Sequence, residues 1–158
     1  MDPVSIVALA ATVLEIGIRV SGHLGNVVAT WKSADPVILA LANEISDLTV
    51  VLDHMNCAWK RIRDISDPND ASDVGFLGAF NGALLQAELH LQELERVIIE
   101  TGSLGNLKRK YKWLRNSAVA KDMQAKLRDV RLRLTELLIT YNAYVLCNLG
   151  IQEIMVLT

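Results

Sequence analysis

Proline, cysteine and aromatic residues are scarce in this chain, and each scarcity closes off a class of structure. Three prolines and nine glycines in 158 residues, beside 51% apolar residues, exclude a disordered segment. Two cysteines far apart, Cys57 and Cys147, exclude a disulfide-stapled scaffold and suit a reduced intracellular protein whose thiols are packing or surface groups. Aromatics are only 5%, so Leu, Ala, Val and Ile carry the apolar content, which suits helices packed along their length. No segment alternates apolar and polar residues between hairpin turns, and there is no internal repeat or low-complexity run.

The residues that chemistry needs are missing as well. His23, His54 and His90 have neither the spacing nor the Cys or carboxylate company of a metal site. Gly22-His23-Leu24-Gly25 and Gly102-Ser103-Leu104-Gly105 are too short for a phosphate-binding loop and carry no Lys-Ser/Thr ending. The carboxylates fall at helical spacing on solvent faces, which suits solvation rather than acid–base catalysis. The reading is a non-enzyme without cofactor or metal. A signal peptide is not expected, because the n-region should be basic and here it is Met1-Asp2-Pro3.

What is present reads as helices. By size the chain is one domain, a bundle over residues 1–150, with 151–158 as a tail. That apolar tail reads as a cut ahead of further domains or as the last turns of the final helix. Asp2-Pro3 is an N-cap followed by proline at the first helical position, and Asp35-Pro36 repeats the signal. The first helix is expected to reach about Val20, where Gly22 and Gly25 break it, bend it or let a neighbour pack closely, and a broken helix resumes from Asn26 to Trp31. The second carries a seam at spacings of three and four: Ile38, Leu41, Ile45, Leu48, Leu52, Met55, Trp59 and Ile62. It ends before the turn-rich Ser66-Asp67-Pro68-Asn69-Asp70. A third helix starts between Ala71 and Val74, with a seam of Leu77, Phe80, Leu84, Ala87, Leu91, Leu94 and Ile98, and closes at Gly102. A short helix is expected from Leu104 to Arg115, and a last one from Ala118 to about Asn148 on Met123, Leu127, Val130, Leu134, Leu137, Tyr141 and Val145, the two being either separate or one kinked rod. The fold class is therefore all-α, an antiparallel bundle of four long helices plus a short one, with an apolar N-terminal helix.

Two features stand above this background. The first is charge. Residues 108 to 133 carry a net +8 while the whole chain carries −2, so the remainder is strongly acidic. The densest run, Lys108, Arg109, Lys110, Lys112, Arg115 with Tyr111 and Trp113, has the make-up of a segment drawn to anionic lipid, at about 1 kcal/mol per cation near the surface. An equally open reading is a solvated helix face that complements acidic neighbours. The acidic remainder argues against nucleic acid.

The second feature is the opening helix. Between Val4 and Leu14 it has no charge, and Gly17, Ser21, Gly25 and Ala29 form a small-residue row. In the folded state it reads as the bundle's central helix. A membrane-bound second state has arithmetic limits. Residues 3 to 21 make about 28 Å of helix, close to a hydrocarbon core of about 30 Å. Insertion of the large aliphatics gains about 4 kcal/mol in all, whereas Arg19 costs about 3 and Glu15 as much. The two are i,i+4 with Glu first, the order that favours pairing. Insertion is thus partial or collective, and the candidate membrane-inserting residues are Ile6, Val7, Leu9, Val13, Leu14, Glu15 and Arg19. The candidate anionic-lipid-binding residues are Lys108, Arg109, Lys110, Lys112, Trp113 and Arg115.

The opening Met1-Asp2-Pro3-Val4-Ser5-Ile6, the small-residue first helix, the run Leu41-Ala42-Asn43-Glu44-Ile45-Ser46-Asp47-Leu48 after Asp35-Pro36, and Lys112-Trp113-Leu114-Arg115 before a long Leu-rich helix together resemble the HeLo-like N-terminal domain of fungal STAND (NLR-like) proteins. The resemblance covers essentially the whole chain and rests on helical patterns without a catalytic signature. It implies a helical bundle, similar to that of mixed lineage kinase domain-like protein, that executes regulated cell death at membranes through its first helix. It further implies homo-oligomerisation on activation, movement from the cytoplasm to the plasma membrane, and a longer parent chain with nucleotide-binding and repeat domains. The Glu15/Arg19 pair is a departure, since many relatives carry less charge there. The competing expectation is an adaptor module that binds helical partners with no membrane step.

Overall fold

A computed structural model of the chain describes residues 3–30, 36–63, 74–102 and 117–156. They form four helices: α1 (Pro3–Thr30), α2 (Pro36–Arg63), α3 (Val74–Gly102) and α4 (Ser117–Val156). Among the described residues there is no strand. The expected short helix at 104–115 lies outside the described residues.

The helices form a closed ring. α1 packs on α2 and α3, and α4 packs on the same two, so α1 and α4 hold opposite sides. The sequence expectation of a central first helix is corrected by this arrangement, because α1 is one wall of the bundle. It has the composition of a central helix but buries a single stripe: Ile6, Ala10, Val13, Ile16, Val20 and Leu24. The steps of three and four put all six on one face.

The expected break in α1 is also corrected. The helix runs without interruption through Gly22 and Gly25 to Thr30. Each glycine costs a helix about 1 kcal/mol relative to alanine. Burying Val20 and Leu24 on either side of Gly22 returns about 1.5–3 kcal/mol apiece, so the continuous helix wins. At the other end of the chain α4 continues through 151–156 as helix, the second of the two expectations for the tail.

The core is the sum of the seams. In α2 every described seam residue from Ile38 to Trp59 is buried. α3 contributes Leu77, Phe80, Ala83, Leu84, Ala87, Leu91 and Leu94, and α4 contributes Ala120, Met123, Leu127, Val130, Leu134 and Tyr141. Ile98, Leu137 and Val145 are half-buried against it. An aromatic cluster joins the end of α2, the start of α3 and the latter part of α4. Trp59 stacks on Tyr141 with ring centroids 5.1 Å apart. Phe80 meets Trp59 edge-on at 5.4 Å, and Phe76 meets Tyr141 at 5.3 Å. Such pairs add about 0.5–1.5 kcal/mol each beyond burial.

Candidate functional site

The site to examine is the outer surface of α1 and whatever holds α1 in place. The sequence-predicted membrane residues divide into three groups. Ile6 and Val13 are in the core, and Val7, Leu9 and Leu14 are half-buried against it. Glu15 and Arg19 are exposed. The aliphatics that lipid would solvate are thus the same ones the bundle solvates at rest. They reach a membrane only if α1 leaves its groove.

The outward face of α1 sets Val4, Ala8, Ala11, Ile18, Gly22 and Ala29 beside the polar Ser5, Thr12, Glu15, Arg19, His23 and Asn26, all exposed. A continuous window, Val4–Asn26, is long and apolar enough to cross a membrane by length and composition, and only 33% of it is buried. The small-residue row serves close approach at one position. A methyl group at Gly17 would stand 2.8 Å from Cγ2 of Thr49 on α2 and 3.8 Å from Cδ1 of Leu91 on α3. At Gly22 and Gly25 a methyl group would meet nothing within 4 Å. Ser21 is half-buried and Ala29 exposed. Gly17 is therefore where α1 is seated between its two neighbours.

Arg19 does more than its sequence neighbour suggested. Its Nη1 donates to Glu15 Oε1 at 3.4 Å, the expected i,i+4 pair. Its better contacts are with Glu95 of α3: Nε donates to Oε1 at 2.9 Å and Nη2 to Oε2 at 3.2 Å. This two-point geometry matches the guanidinium fork to a carboxylate. The hydrogen bonds from Arg19 hold the Glu95 carboxyl below the ordinary carboxylate range, and those to Glu95 raise the Arg19 guanidinium.

The basic segment is divided by the described residues. Lys108, Arg109, Lys110, Lys112, Trp113 and Arg115 lie outside them. Of the cations further along, Lys126 pairs with Asp122 at 2.9 Å, and Arg133 donates to Gln86 of α3 at 3.3 Å. Arg131 is committed to the fold. Its Nε donates to Oε1 of Glu44 on α2, with a second contact from Nη2 to Oε2 at 3.5 Å. Glu44 is buried, and the hydrogen bond to it raises the Arg131 guanidinium. Lys121 and Arg128 are exposed.

Sequence reasoning missed both interhelical ties. Periodicity put Glu44 off the α2 seam, which is correct for the centre of the stripe. Glu44 sits at its flank, three residues after Leu41 and four before Leu48, and that flank faces α4. The signal available in one dimension was an acid beside a seam, and it names no partner.

Among the described residues no group of three or more His, Cys, Asp or Glu side chains gathers to hold a metal ion. Cys57 and Cys147 are both exposed free thiols. Trp59 Nε1, Asn56 Oδ1, Asn81 Oδ1 and His90 Nδ1 are buried atoms with no hydrogen-bond partner among the described residues. No family model matches the chain, and neither a curated protein nor a solved structure matches it.

Proposed function

We propose that this chain is a membrane-targeting executor module of regulated cell death, of the HeLo-like kind, in which α1 leaves the bundle and engages anionic membranes in an oligomer. The observation that carries the reading is the Val4–Asn26 window. It has the length and apolarity of a membrane-crossing segment, only a third of it is buried, and Arg19–Glu95 clips it to α3 in the open. The proposed lipid-binding residues are Lys108, Arg109, Lys110, Lys112, Trp113 and Arg115, which follow α3 in the chain. Exposed ion pairs are weak and screened by salt, so a clip of this kind suits a reversible state. The module works in the cytoplasm and at the plasma membrane, within a longer parent chain.

For the bundle itself we infer that consecutive helices alternate in direction. The connection 31–35 spans at most about 18 Å, against about 42 Å for either helix it joins, so packed α1 and α2 run oppositely. Glu44 with Arg131 and Trp59 with Tyr141 support α2 and α4 running the same way. Gln86 with Arg133 and Phe80 with Tyr141 support α3 running against α4.

The structure allows a cleaner test than deleting α1, which removes part of the core. Ala11→Glu with Ile18→Glu places two carboxylates on the exposed face. Circular dichroism should show a folded bundle. Leakage of vesicles rich in phosphatidylserine should fall at least tenfold, because each acid opposes insertion by about 2–3 kcal/mol. Undiminished leakage by the folded variant sinks the reading. A second reading, an adaptor that binds helical partners, is favoured by the complete burial of Ile6, Ala10, Val13, Val20 and Leu24. It calls for no leakage by any form, and for retained signalling when the five cations of 108–115 become Glu.

A further inference from the structure

Two of the buried atoms without a hydrogen-bond partner among the described residues are amide oxygens on the helices that seat α1: Asn56 Oδ1 on α2 and Asn81 Oδ1 on α3. Asn56 lies one heptad after Thr49, the residue that a methyl group at Gly17 would strike. Asn81 lies two heptads before Glu95, the residue that receives Arg19. A seven-residue step returns to nearly the same face of a helix, so both amides sit on stripes turned toward α1. With the helix directions inferred above, Asn56 faces α1 near position 10, seven before Gly17. Asn81 faces it near position 5, fourteen before Arg19. Both therefore face its first half. From Ile6 to Ala10 that half offers carbon and no side-chain donor. Ser5 is exposed, and the hydroxyl of Thr12 is committed to its own helix, donating to the carbonyl of Ala8 at 3.0 Å. The second half of α1 is held differently, by the seat at Gly17 and the two-point contact of Arg19 with Glu95. The other two orphaned atoms belong to residues packed toward α4. Trp59 stacks on Tyr141, and His90 lies one turn past Gln86, which receives Arg133.

We propose that Asn56 and Asn81 make α1 open in two stages. Residues 4–14 lift from the bundle first, from the Pro3 end, while 16–24 stay seated at Gly17 and clipped by Arg19–Glu95. The driving difference is solvation. A buried amide oxygen without a donor has given up water and gained no hydrogen bond in its place. Lifting the first half of α1 returns both oxygens to water, whereas lifting the second half breaks an ion pair that is satisfied at rest. The first stage frees Ile6, Val7, Leu9, Val13 and Leu14, a stretch without charge. It leaves Glu15 and Arg19, the two residues that oppose insertion, at the surface of the bundle. The inference deepens the release of α1 proposed above and rests on that reading for its purpose. The opening itself is a property of the bundle in water.

The test is hydrogen exchange on the whole chain, without lipid, resolved along α1. Amides of 8–14 should exchange at least about tenfold faster than those of 16–24. Asn56→Leu with Asn81→Leu replaces each orphaned amide by a side chain of similar volume. It should slow exchange in 8–14 at least about tenfold and change 16–24 by less than about threefold. Each single variant should slow 8–14 by a smaller factor, which keeps the test open where the double variant does not fold. Asn43→Leu, at an exposed position of α2, should change neither half. Equal exchange of the two halves in the wild type overturns the proposal. So does exchange in 8–14 that is unchanged or faster in the leucine variants, or slowed equally in all four helices. Failure of both single variants to fold overturns it too, because the amides would then be needed by the fold. No vesicle enters the experiment. A chain that leaks vesicles although its α1 opens in one piece keeps the reading above and loses only the two stages.

Discussion

The α1–α3 side and the α2–α4 side of the bundle are each tied by an arginine lying across both oxygens of a glutamate. They differ in depth. Arg131 and Glu44 have side chains 21% and 8% exposed, whereas Arg19 and Glu95 are 47% and 16% exposed. The first pair is screened from water and ions by the helices around it. The second is open on the arginine side, where solvent and salt compete. The surfaces differ in the same sense. The outward residues of α1 between Val4 and Leu14 carry no charge, while those of α4 include Lys121, Asp122, Arg128, Asp129 and Arg133. One chemical device thus serves as a lock on one side and a clip on the other, and burial makes the difference.

The largest test of that contrast is Glu44→Ala. It leaves Arg131 part-buried without its partner and should cost about 3 kcal/mol in urea unfolding. Glu95→Ala should cost clearly less; equal losses would break the comparison.

Next in size is Gly17→Val, which drives a branched side chain into Thr49 and Leu91. A loss of about 2 kcal/mol is expected, with faster hydrogen exchange in α1 than in α4. Gly22→Ala should act in the opposite direction. Nothing stands near that position, so the bundle should gain about 0.5–1 kcal/mol.

A smaller effect is acid loosening of the clip. Folding holds the Glu95 carboxyl below its ordinary value of 4.5, so its contribution is complete above that pH. The contribution fades as pH falls through the lowered value, when Glu95 takes up its proton. Wild type and Glu95→Gln should therefore differ in α1 hydrogen exchange near neutrality and converge in acid. Added salt should narrow the gap at neutral pH, and a constant gap would contradict the assignment.

Smallest is Lys126→Ala. Its pair with Asp122 lies on one helix in solvent, and the melting temperature should stay the same within error.

Much of the fold was legible in residue order. The seams of α2, α3 and α4 alternate with polar residues, so spacing gave both the helix and its buried face, from Ile38 to Trp59 and from Leu77 to Leu94. α1 defeated that reasoning because it has apolar or small residues on every side. Its sequence shows a helix without a phase, so Ile6 and Val13 were indistinguishable from Ala11 and Ile18 as core or surface. The glycines misled for a related reason. Gly22 and Gly25 looked like a break, yet they face solvent, where glycine weakens a helix without opposing its packing. Gly17 looked like one member of a row, and of the row's two glycines it is the one that meets neighbouring helices closely.

The sequence by itself determined that this protein is helical, where α2 and α3 begin, and which face of each later helix turns inward. Those properties depend on residues within a few positions of each other, through caps, prolines and periodicity. Only the tertiary structure decided which stripe of α1 is hidden, that Arg19 holds Glu95 as well as Glu15, and that Glu44 receives Arg131. Those outcomes depend on the rotation and register of helices whose paired residues lie 76 and 87 positions apart along the chain. Packing volume sets that rotation, and no local pattern encodes it.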